Sequence, residues 1–77
     1  MNEHATTGEI IKEARERAGL SLAGLADQLD RTESSVRSWE SGRSVPTLAM
    51  AGRLAAVLGV DPGALARAAA LAAGGDQ

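Results

Sequence analysis

The sequence predicts an all-α domain of five short helices. Three observations carry that prediction. Apolar residues recur at spacings of three and four rather than two, the period of a helix with one buried face. Residues whose side chains cap helix starts stand ahead of the apolar stripes at Thr6, Ser21, Thr32 and Asp61. Glycines close three stripes, at Gly19, Gly42 and Gly59.

A chain of 77 residues holds one domain, expected over 6–73 between short tails at 1–5 and 74–77. With no cysteine, neither a disulfide framework nor a zinc site can staple it. The single histidine, His4, lies in the N-terminal tail, so no metal and no cofactor is expected. The run from Leu54 to Leu71 is broken by Gly59, Asp61 and Pro62, too interrupted to span a membrane, and no signal peptide is visible. A cytoplasmic protein is the expectation.

Helix 1 begins at Thr6, where Glu9 three residues on completes a capping box. Ile10, Ile11, Ala14 and Ala18 form its apolar stripe, Glu13 and Arg17 stand four apart on the polar side, and Gly19 ends it. Ser21 opens helix 2, whose buried face is Leu22, Leu25, Ala26 and Leu29. Gly24 inside it should weaken the helix by about 1 kcal/mol relative to alanine. Helix 3 follows Thr32 and runs to Ser41, with Val36 and Trp39 inward and Glu33, Ser34, Arg37, Ser38 and Ser41 outward. Pro46-Thr47 prepares helix 4, where Leu48, Ala51, Ala55 and Leu58 are the expected core stripe, with Leu54 beside it. Asp61 caps helix 5, and Pro62 takes its first position, where a missing N–H costs nothing.

Helices 2 and 3 carry the functional signal. Two helices that cross closely need a tiny residue at the contact, and Ala26 supplies it. The chain must then reverse through a left-handed residue, a conformation that glycine adopts best and Asp tolerates; Asp30 stands there. Val36 docks the second helix on the first. This is the spacing of a helix-turn-helix. Net charge is −2, which argues against nonspecific nucleic-acid binding, since phosphate neutralisation supplies most of that affinity. Residues 31–53 nevertheless carry Arg31, Arg37, Arg43 and Arg53 against Glu33 and Glu40 alone.

These residues, with Arg15, Gly19-Leu20-Ser21, Leu25-Ala26, Val36 to Gly42, Pro46 and the Leu54 to Val60 run, resemble the lambda-repressor-like family of Cro and phage-repressor helix-turn-helix domains. The likeness covers Ile11 to about Leu65. It implies a five-helix DNA-binding domain, usually a two-fold dimer on half-sites about 34 Å apart. It also implies that Arg15 and Glu40 form a partly buried ion pair bracing helix 1 against the end of helix 3. Thr32, Glu33, Ser34 and Ser38 match positions that approach phosphates or base edges, and Ser41 and Arg43 match positions that hold the phosphate backbone. Four positions depart from the pattern: Asp30 and Arg31 at the turn, Leu22 in place of a backbone-contacting glutamine, and Gly52 in place of a bulky leucine. Arg31 is thereby free to reach a phosphate. The expected purpose of Gly52, with Ala51, is to make room for the Trp39 indole.

The side-chain chemistry sorts the outward residues. Arg37 can fork onto guanine O6 and N7, or hold a phosphate, depending on docking angle. Glu33 can accept from cytosine N4, and Ser34 and Ser38 read bases permissively. Base reading is therefore assigned to Glu33, Ser34, Arg37 and Ser38, and phosphate binding to Arg31, Thr32, Ser41 and Arg43. The expected partner is a palindromic double-stranded operator, bound by a homodimer whose candidate interface is Leu65, Ala68, Leu71 and Ala72. No small-molecule ligand is evident, and with no nucleophile–base pair an enzyme is not expected. The leading reading is a small transcriptional regulator, a Cro-type repressor regulated by concentration or partners rather than by an appended sensor domain. The alternative is a protein-interaction module on the same fold, such as an antitoxin or antirepressor.

Overall fold

A computed structural model describes residues 6–74, with side chains as far as Ala70. The expected tails, with His4, lie outside the described residues, apart from Gly74. Five helices follow in order: α1 (Thr7–Arg17), α2 (Leu22–Leu29), α3 (Glu33–Ser41), α4 (Leu48–Leu58) and α5 (Pro62–Gly74).

Each start is fixed locally. The Glu9 N–H donates to Thr6 Oγ1 at 3.1 Å while the Thr6 N–H donates to Glu9 Oε1 at 3.0 Å, so the capping box closes in both directions. Ser21, Thr32, Thr47 and Asp61 each accept a backbone N–H three residues on. Gly19, Gly42 and Gly59 all have positive φ, as helix-ending glycines should.

Helix α3 packs on α1 and α2, and α4 packs on α5; α4 also meets α1 and α2, and α5 meets α1. Their shared core contains Ile11, Leu25, Ala26, Leu29, Val36, Trp39, Met50, Ala51, Leu54, Ala55 and Leu65. Burial of these apolar faces is the main force holding the helices together. No helix among the described residues is long and apolar enough to cross a membrane.

Several expectations are corrected. Ala18 is exposed and lies outside the core stripe of α1, because the helix has already reached its C-cap there. Leu48 is 67 % exposed, since it is the first residue of α4 and projects past the core; Met50 takes a buried place instead. Gly52 makes no room for the indole: it is exposed, and a Cβ built there meets nothing within 4 Å. Gly24 does have a local reason, because a Cβ there would lie 3.2 Å from the Ser21 hydroxyl that caps its own N–H. Leu65 is completely buried within the monomer, so it is not available to a second copy. Ala68 is half-buried, and the side chains of Leu71 and Ala72 lie outside the described residues.

The glycine that matters most for packing is Gly8. A Cβ on it would sit 2.5 Å from the Glu40 carbonyl oxygen and 2.6 Å from that of Trp39. The N-terminus of α1 therefore rests directly on the last turn of α3. Only a residue without a side chain allows that approach.

Candidate nucleic-acid interface

The turn between α2 and α3 has the local chemistry that its sequence predicts. Asp30 adopts a left-handed conformation at φ 58°, ψ 43°, the one non-glycine residue with positive φ among the described residues. The Arg31 N–H reaches back to the Ala26 carbonyl at 2.9 Å, closing the end of α2. From α4, Arg53 Nη2 donates to the Leu29 carbonyl at 2.8 Å. A cation on the C-terminal carbonyls of a helix is favourable. Sequence reasoning counts Arg53 only as local charge; its pairing with a backbone carbonyl on another helix leaves no mark in the sequence.

The C-terminal end of α3 is held by a buried ion pair. Arg15 Nε donates to Glu40 Oε2 at 2.6 Å and Nη2 to Oε1 at 3.1 Å, while Nη1 donates to the Leu20 carbonyl at 2.9 Å. The two side chains are only 12 % and 9 % exposed. The hydrogen bond to Glu40 raises the Arg15 pKa above its ordinary value, outweighing the opposing effect of burial. A raised pKa means that the contribution is present at every pH below the ordinary arginine range and is lost only above it. One guanidinium thus ties α1, the α1–α2 corner and the end of α3 together, and the expected brace is present.

On its outer side α3 presents Glu33, Ser34, Arg37 and Ser41 exposed and Ser38 half-buried. Arg37 Nη2 donates to Glu33 Oε2 at 2.8 Å, one helical turn apart. The serines are partly committed: Ser41 Oγ donates to the Ser38 carbonyl at 3.2 Å. Thr32 Oγ1 accepts the Ser35 N–H and donates to Ser35 Oγ at 3.0 Å. These two hydroxyls therefore serve helix termination first. Ser35, not singled out by the sequence, belongs to the same capping network. Arg31 and Arg43 flank the face at either end, both exposed and neither in an ion pair among the described residues.

The charge balance of this region is more basic than residue totals indicate. Glu40 turns inward to Arg15 and Glu33 is satisfied by Arg37, so Arg31, Arg43 and Arg53 keep their charge. Among the described residues no cluster could hold a metal ion. An apolar groove of about 320 Å³ lies where the loop after α3 and the start of α4 meet α5, lined by Val45, Pro46, Thr47, Leu48, Ala69 and Ala70.

Five helices, a left-handed turn after a buried small residue and a polar third helix define a helix-turn-helix domain. Residues 8–69 match the helix-turn-helix domain family, and the chain belongs to it. It is 42 % identical over 64 residues to (S)-2-hydroxypropylphosphonic acid epoxidase of Streptomyces wedmorensis, covering 79 % of this chain and 32 % of that protein. Among solved structures it resembles apo-HppE, with a TM-score of 0.67 and 39 % identity over 77 % of this chain and 33 % of that one. A structure of hydroxypropylphosphonic acid epoxidase from the same source matches with a TM-score of 0.66 and 40 % identity, over 83 % of this chain and 35 % of that one. The chain thus spans about a third of the length of these relatives.

Proposed function

We propose that this chain binds double-stranded DNA sequence-specifically as a small transcriptional regulator of the Cro-repressor type, with α3 in the major groove. The supporting observation is the charge arrangement around α3. Both acidic side chains of the helix are internally paired, and unpaired Arg31 and Arg43 stand at the two ends of its exposed face. That arrangement suits phosphates on either side of a groove-bound helix. Selection of bound sequences from a random DNA pool tests the reading. A palindromic consensus with steeply salt-dependent affinity is expected, and Arg43→Ala should weaken binding to all sequences and flatten the salt slope by about one.

A homodimer belongs to this reading, with the surface where Val45 and Leu48 meet Ala69 and Ala70 of α5 as its face. Val45 and Leu48, the exposed large hydrophobics among the described residues, lie where the loop after α3 enters α4. Sedimentation with and without a full palindrome is the check, and Leu48→Asp should keep the chain monomeric.

One observation favours the second reading, a protein-interaction module. The named relative is an epoxidase, of which this chain matches about a third. A domain of this kind therefore also occurs as part of an enzyme. Absence of any sequence preference at low salt, together with a tight protein partner, would favour that reading over DNA binding. No catalytic role is proposed for the chain itself, because the face offers no nucleophile–base pair.

A further inference from the structure

The ion pair on the exposed side of α3 has no structural duty. Glu33 and Arg37 are 46 % and 61 % exposed, joined by a single contact at 2.8 Å, and pairs of that kind contribute little to stability. If α3 reads DNA as proposed above, their arrangement has a chemical consequence there. An unpaired arginine on such a face takes a phosphate as readily as a base. An arginine beside a carboxylate does not, because the carboxylate cancels its charge and is itself repelled by phosphate.

We propose that Glu33 and Arg37 act as one neutral reading unit for a G·C base pair, an inference that rests on the DNA-binding reading of α3. Within the unit, Glu33 sets the specificity of Arg37 by holding it off the backbone. The donor and acceptor chemistry fits the base pair. Guanine O6 accepts and cytosine N4 donates in the major groove, and their own Watson–Crick bond keeps them about 2.9 Å apart. The 2.8 Å bond between Arg37 Nη2 and Glu33 Oε2 holds a donor group and an acceptor group side by side, with the opposite polarity. Arg37 uses one Nη2 donor on Glu33, and its remaining N–H groups are available for O6 and N7 of guanine. Glu33 Oε1, the oxygen not engaged by Arg37, accepts from cytosine N4. Glu33 is also the first residue of α3, where the positive end of the helix dipole favours a carboxylate. An acidic residue on a DNA-reading face thereby acquires a function.

The test compares sequences selected from a random DNA pool by the unaltered chain, by Glu33→Gln and by Arg37→Lys, with circular dichroism confirming that each is folded. The unaltered chain should require a G·C pair at one half-site position, by roughly 5- to 150-fold over other pairs. Glu33→Gln should lose most of that preference at that position alone. Its affinity for random DNA at low salt should rise and its salt slope should steepen by about one, as the freed Arg37 takes a phosphate. Arg37→Lys should lose the same preference, because an ammonium cannot fork. The proposal is overturned if Glu33→Gln leaves the preference intact at every position, or if it shifts affinity equally for all sequences without steepening the salt slope. If the unaltered chain selects no sequence at any salt concentration, the DNA-binding reading itself fails, and this proposal with it.

Discussion

Helix α3 carries two arginine–glutamate pairs, one buried at its C-terminal end and one exposed at its N-terminal end, and they behave differently although their chemistry is the same. The inner pair, Arg15 and Glu40, meets through two hydrogen bonds at the C-terminal end and is about nine-tenths buried. The outer pair, Arg37 and Glu33, shares one bond nearer the N-terminal end and is about half exposed. Burial decides the role. The inner pair must stay together, because a lone charge at that depth is costly, so it ties α1 to the end of α3. The outer pair contributes little to stability, and its exposure leaves it available for recognition.

The sharpest way to break this comparison is to remove one member of the inner pair. Glu40→Ala should destabilise the domain by about 3 kcal/mol, because Arg15 is left buried against the Leu20 carbonyl without its counter-charge. Urea unfolding would show it as a lower midpoint at nearly constant slope. A change of a few tenths of a kcal/mol would mean that the brace is dispensable. Next in size is Gly8→Ala, which forces the α1 N-terminus off the α3 carbonyls. The expected loss is about 1–3 kcal/mol, read as a fall in melting temperature of several degrees. Smaller and opposite in sign is Gly52→Ala, which should stabilise α4 by up to about 1 kcal/mol, since nothing lies within 4 Å of the new methyl group. Thermal unfolding that shows a loss there would reopen a packing role for Gly52. The smallest effect belongs to the outer pair: Glu33→Ala should cost less than about 0.5 kcal/mol and should be screened away by salt. Its effect should fall on DNA selection instead.

Much of the architecture was readable from local chemistry. Thr6, Ser21, Thr32 and Asp61 each cap a helix in the structure as their spacing predicts, and Asp30 takes the left-handed turn. These features depend on residues at most a few positions apart. The core stripes were readable in outline and failed at a helix end, where Leu48 projects past the core and Ala18 falls beyond its helix. Periodicity assigns a face to a residue but does not say whether another element covers that face. The assignment of Leu65 to a dimer interface failed for the same reason, since α5 buries it inside the monomer.

What the sequence determined alone is therefore the set of five helices, their caps and the turn that joins α2 to α3. These depend on backbone hydrogen bonding and conformational preference within a single stretch. The Arg15–Glu40 brace was also anticipated, through resemblance to a family rather than through any local rule. Only the tertiary structure decided that Gly8 rather than Gly52 is the close-approach glycine, and that Arg53 reaches across to the Leu29 carbonyl. Those outcomes depend on how far apart two helices come to rest, a distance set by all the side chains between them and by none alone.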